Sequence, residues 1–189
     1  TVDPSTLPAG VDPTHDVDGT ATPNVSTVTL ADQQARADVD FGYRGVGAIG
    51  DTVWFDADNS AGPTRGTANE PGIPGVAVTV VWAGIDGIPG NGDDLSFVTV
   101  TGTDGTYGVA GLPLGSYTVT VDPSTLPTGM APTFDLDGTG TANVATTSLT
   151  AAAPVDLGVD FSYAGTGFSV VFRRRAGLDR RSRKIGHAV

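Results

Sequence analysis

Cysteine is absent from all 189 residues, which excludes a disulfide framework, a CxxC redox pair and any thiolate metal site. Lysine occurs only at Lys184, and histidine only at His15 and His187. No apolar run reaches the roughly 18 residues that a membrane-spanning helix needs, so no transmembrane segment is expected. Helix-compatible stretches are scarce as well: 27 Gly and 13 Pro make up about a fifth of the chain, against roughly an eighth in average proteins. Glutamate is almost missing, since Glu70 is the one Glu among 21 acidic residues and the rest are Asp. Asp reaches nearby backbone N–H groups in turns and brings hard oxygens close to the chain in calcium loops. The hydrophobic fraction of 39% is sufficient for a packed core and argues against wholesale disorder.

The charge is unevenly distributed. Seven of the ten basic residues lie after Gly167 together with one acid, Asp179, leaving three basic and 20 acidic residues in 1–167. The body therefore carries −17 and the tail +6. An internal repeat divides the body further. Thr1–Leu30 and Thr120–Leu149 are about two-thirds identical at an offset of 119, and Ala37–Gly47 (ADVDFGYRGVG) recurs as Leu157–Gly167 (LGVDFSYAGTG) after one inserted residue. A period near 120 residues is the size of a whole domain rather than of a solenoid unit. The expected organisation is the C-terminal part of a preceding repeat at 1–43, a complete repeat at 44–165, and a basic tail at 166–189 outside the fold.

Within the complete repeat the apolar period is two. Val76, Val78, Val80 and Trp82 alternate with smaller or polar residues, as do Tyr117, Val119 and Val121, and Leu157, Val159, Phe161 and Tyr163. Further strands are expected over 49–55, 95–101, 106–109 and 143–149, punctuated by Pro74-Gly75, Asn91-Gly92 and Asp104-Gly105. About seven short strands without an amphipathic helix favour an all-β, antiparallel two-sheet sandwich. The few residues between Tyr43 and Ile49 suggest stacked domains rather than a loose string.

Ile49–Asn59 (IGDTVWFDADN), Asn69–Val81 (NEPGIPGVAVTVV) and Thr103–Asp122 (TDGTYGVAGLPLGSYTVTVD) occur in that order. Together they resemble the B-type repeat of serine-aspartate repeat surface proteins, a relative of the collagen-adhesin B-type domain. The resemblance implies an immunoglobulin-like sandwich, extracellular and displayed on a bacterial cell wall. There, repeats act as a calcium-stiffened stalk carrying an adhesive domain. The partners so implied are neighbouring repeats of the same chain and, through another domain, a host extracellular protein or glycan. In the family the first loop continues DxNxDGxxDxGE, whereas here Asp56, Asp58 and Asn59 are followed by SAGPTRGTAN before Glu70. The middle acid is replaced and Arg65 intrudes. Some relatives are locked by a Lys–Asn isopeptide bond, which this repeat cannot form because Lys184 lies outside it.

Three loops are candidate calcium ligands. Asp86, Asn91, Asp93 and Asp94 fall within nine positions of a glycine-rich hairpin, which offers more carboxylates over fewer residues than Asp56 and Asp58 of the first loop. The first loop offers Asp56, Asp58, Asn59 and Glu70. The DVDGT and DLDGT motifs pair Asp16 with Asp18 and Asp135 with Asp137, an arrangement that an Asx turn also explains. No enzyme is expected. Gly45-Val-Gly47-Ala-Ile-Gly50 satisfies GxGxxG, but a strand follows where a dinucleotide site needs a helix. His15 is replaced by Phe134 in the second copy, and the adjacent Asp93 and Asp94 do not face each other across a cleft as glycosidase carboxylates must. Trp54 and Trp82 read as core. The tail RRRAGLDRRSRK has three readings: part of a wall-anchoring end, an electrostatic contact, or sequence out of register with the repeat. It is assigned no function and no nucleic-acid partner. The overall expectation is a non-enzymatic spacer repeat, with a loop-borne adhesive module as the alternative.

Overall fold

A computed structural model describes residues 1–66 and 69–166; the basic tail lies outside the described residues. Two strands, β1 (Val11–His15) and β2 (Gly42–Gly45), form an antiparallel ladder in the N-terminal segment. Nine more follow in the body: β3 (Gly47–Phe55), β4 (Ala77–Trp82), β5 (Leu95–Val100), β6 (Thr106–Leu112), β7 (Gly115–Val121), β8 (Met130–Asp135), β9 (Val144–Leu149), β10 (Val155–Asp156) and β11 (Phe161–Gly165). The protein is all-β apart from short 3₁₀ turns. Two of these, at Pro4–Thr6 and Pro123–Thr125, are equivalent pieces of the sequence repeat, each capped by an Asp (Asp3 or Asp122) that accepts from the amide two residues on.

One sheet runs β5–β4–β7–β9 and is antiparallel throughout. The other is centred on β3, which pairs antiparallel with β6 on one edge and parallel with β10 and then β11 on the other; β8 pairs antiparallel with β11. The expected antiparallel arrangement therefore describes one sheet, and the second is mixed. Seven strands were expected and two more are present. Strand β8 carries Pro132, which interrupts the alternating pattern, and it sits at a sheet edge, where proline is tolerated. Of the strand expected over 157–163 only 161–163 is realised, in β11; residues 157–160 separate it from the short β10, and the two strands run successively along β3.

The inward residues of both sheets share one core, the arrangement of a β-sandwich. Ile49 and Val53 of β3, Val78 and Val80 of β4, Val119 and Val121 of β7, and Phe161 and Tyr163 of β11 are all fully or almost fully buried. Complete burial of such a side chain contributes about 1.5–3 kcal/mol. Both tryptophans are buried: Trp82 donates from its indole to the Leu114 carbonyl at 3.2 Å, and Trp54, on the opposite face of β3 from the shared core, packs near Phe134 with ring centroids 6.3 Å apart.

Candidate metal centre

Strand β3 ends where its backbone still bonds to β11, the Asp56 amide donating to the Tyr163 carbonyl at 2.9 Å. This holds Asp56 at the end of the central strand with its side chain buried, 3% exposed. Its two carboxylate oxygens accept from the Ser60 amide at 3.0 Å and the Ala61 amide at 3.2 Å, while Asp58 accepts from the same Ser60 amide at 3.0 Å. The chain turns there through left-handed backbone at Asn59 and Ala61. Burial pushes the Asp56 carboxyl up, but hydrogen bonds from the Thr133 hydroxyl and the Ala61 and Ser60 amides outweigh it and hold the group below the ordinary carboxylate range. Asp56 is thus a charged ligand-competent oxygen donor at neutral pH.

Glu70 arrives from the far end of the loop. A bridge between Trp54 and Gly72 fixes that segment beside β3, reinforced by the Phe55 amide donating to the Pro71 carbonyl at 2.9 Å. The approach requires glycine at 72, since a Cβ there would lie 1.7 Å from the Asp104 carbonyl oxygen. One Glu70 oxygen accepts from the Gly66 amide; the other, Oε1, is buried without a partner. Ligand oxygens of Asp56, Asp58 and Glu70 all lie within 4.8 Å of one another, the one such group among the described residues. Arg65 does not neutralise it: its guanidinium donates to the Glu70 and Asp104 main-chain carbonyls, at 2.6 and 3.2 Å. The one ion pair among the described residues joins Arg36 to Asp38 instead. Three carboxylates held this close, with no basic side chain in ion-pair contact among the described residues, fit a hard divalent cation, with carbonyl oxygens completing the six to eight donors that calcium takes. Asn59 lines an adjoining cleft together with Asp56.

The hairpin acids are arranged differently. Asp93 accepts from the Ile85 amide at 2.8 Å, Asp86 from the Ile88 amide and the Asn91 side chain at 2.8 Å each, and Asp94 from the Gly90 amide at 2.6 Å. These carboxylates tie the turn to itself, as Asp does in Asx-type loops. Asp94 also keeps one buried oxygen without a partner.

The DxDG motifs fold alike in both copies. Asp137 accepts from the Thr146 amide and hydroxyl, at 3.1 and 2.7 Å, while Asp18 accepts from the Thr27 amide at 2.8 Å and the Ser26 hydroxyl at 3.0 Å. Tyr163 donates to Asn143 at 2.9 Å as Tyr43 does to Asn24 at 2.7 Å, with both asparagines left-handed. Asp135 and Asp16 are each buried with both oxygens lacking a partner. Burial, followed by the Asp137 charge, raises the Asp135 pKa against the opposing Gly138 amide. One titrating group escaped the motif reading: Asp160, in the VDF motif, accepts from the Thr52 amide at 3.0 Å. Its burial and the charges of Asp51 and Asp156 push its pKa up to about 6 despite that bond.

Two sheets about one core, with an acidic loop closing the end of the central strand, define a small β-sandwich domain. Residues 47–162 match the sequence profile of the SdrD B-like domain, and the chain belongs to that family, whose members are repeats of bacterial surface proteins. No curated protein sequence matches the chain significantly. Among the described residues no helix is long and apolar enough to cross a membrane.

Proposed function

We propose that residues 44–165 are a non-enzymatic, immunoglobulin-like spacer repeat of a secreted or cell-wall-displayed tandem array, preceded at 1–43 by the end of another copy. The repeat holds a distal binding region away from the cell, and calcium stabilises it at Asp56, Asp58 and Glu70. The observation that carries the metal reading is the convergence of those carboxylates, one of which, Glu70, keeps a buried oxygen without a partner. Without a cation their mutual repulsion opposes closure of the loop on β3; a bound cation reverses that sign. The spacer reading is supported by the family and by the sequence repeat. Its loops are rich in Asp, Gly, Pro and Thr rather than in the aromatic anchors that protein-recognition surfaces favour. The test is a thermal melt of the full chain in calcium and in chelator. With a dissociation constant of about 0.1 mM, near the tight end of the extracellular range, about 1 mM calcium adds roughly 1.4 kcal/mol per site. Identical melting temperatures remove calcium from the reading.

A further inference from the structure

The N-terminal segment meets the sandwich through a corner built on two glycines. The Val46 amide donates to the Gly10 carbonyl at 2.9 Å, and the Leu114 amide, in the turn between β6 and β7, donates to the Ala9 carbonyl at 2.8 Å. The fit leaves no room for a side chain. A Cβ at Gly45 would stand 2.0 Å from the Leu112 carbonyl carbon and oxygen, and one at Gly10 would stand 2.2 Å from Leu114 Cγ. Here the turn of one repeat is seated on the end of the preceding one.

The same corner recurs at the other end of the sandwich. Thr128-Gly129 corresponds to Ala9-Gly10 and Gly165-Thr166 to Gly45-Val46. The Thr166 amide donates to the Gly129 carbonyl, as Val46 does to Gly10. Among the described residues this second corner is open. A Cβ at Gly129 would meet nothing nearer than 3.8 Å and one at Gly165 nothing nearer than 3.9 Å. Thr128, Gly129, Gly165 and Thr166 line a cleft of about 820 Å³ bounded by Phe55 and Asp56. Gly129 has a left-handed backbone that accounts for glycine there; Gly165 does not, and among the described residues no neighbour crowds it. The flanking side chains have changed between the copies, Ala9 to Thr128, Arg44 to Ala164 and Val46 to Thr166, while both glycines stand.

We propose that the corner formed by Thr128-Gly129 and Gly165-Thr166 is a docking surface whose occupant is the β6–β7 turn of a following copy of this repeat. The contact rests on the spacer reading and deepens it. It is head-to-tail, one end of a repeat against the opposite end of the next, so it does not close on itself and each docked repeat presents a fresh corner. The glycines set the geometry: backbone meets backbone, leaving a joint with little freedom to swing.

The test extends the full chain with a further copy of residues 48–167 placed after Gly167, and reads amide hydrogen exchange. The amide of the added copy equivalent to Leu114 is expected to exchange as slowly as Leu114 itself. Gly165→Val should accelerate that added amide on the order of tenfold or more and leave Leu114 unchanged, whereas Gly45→Val should do the reverse. Val80 and Val119 amides in the cores report that each copy is folded. If Gly165→Val does not fold, the two amides in the unsubstituted extended chain decide the matter. A rapidly exchanging added amide beside a protected Leu114, or protection indifferent to Gly165→Val, overturns the proposal and leaves the spacer reading standing. An unprotected Leu114 in the unextended chain overturns both.

Discussion

Replacing Asp160 with Asn is expected to stabilise the sandwich at neutral pH and to change little at pH 4. Asp160 holds its proton up to about pH 6 in the fold, against an ordinary value of 3.8, because burial and then the Asp51 and Asp156 charges disfavour ionisation more than the Thr52 amide assists it. Between those two values the folded chain binds more protons at this site than the unfolded chain. Its contribution is therefore fully present below the unfolded value and is lost as pH rises to about 6. A shift of about two units corresponds to roughly 3 kcal/mol. The carboxylate is only half-buried, and solvent screening reduces the expected effect to about 1 kcal/mol. Asn keeps an oxygen for the Thr52 amide and carries no charge. The assay is a series of melts of both proteins from pH 4 to pH 7.5 in chelator, read as the difference between them so that other carboxylates cancel. The difference should grow from near zero to about 1 kcal/mol, a few degrees in Tm for a domain of this size. A difference that is constant with pH, or an Asn variant less stable at pH 7, refutes the reasoning.

Calcium affinity, measured by titration calorimetry, should fall more for Asp56→Asn with Asp58→Asn than for Asp86→Asn, Asp93→Asn and Asp94→Asn together, because the hairpin carboxylates are engaged with their own backbone. The opposite ranking would move the principal site to the hairpin. Residues 1–46 expressed alone should show no cooperative melt, since an isolated two-stranded ladder is marginal at best in water; a sharp transition would contradict the proposed boundary. Deleting residues 168–189 should leave the melt in 0.15 M salt within a degree or so, because exposed charge attraction is screened over about 8 Å and contributes little. A loss of several degrees would make the tail part of the fold.

The strands with strict alternation were legible in the sequence because one face of each is buried in the core: Val78, Val80 and Trp82 on β4, and Tyr117, Val119 and Val121 on β7, point inward in register. Turns at Gly75 and Gly105 were legible for a local reason, their left-handed backbone. Strand β8 was not, since Met130–Asp135 has no clean period and takes its conformation from pairing with β11. Nor was the parallel run of β10 and β11 along β3, because strand partners separated by about a hundred residues leave no trace in local pattern. The acidic loops divide in the same way. Composition marks all three as oxygen-rich, and by spacing along the chain the hairpin, with three carboxylates in nine positions, outranks the first loop, with three in fifteen. Tertiary structure separates carboxylates that bond their own turn, as Asp86, Asp93 and Asp94 do, from those that strand pairing forces together, as the Trp54–Gly72 bridge brings Glu70 to Asp56 and Asp58. The sequence by itself determined the repeat, the β class and the family, all of which rest on residue order and period two. Which acids converge, and which glycines meet a neighbouring backbone, was decided only when distant segments packed, because both depend on distances across the chain rather than along it.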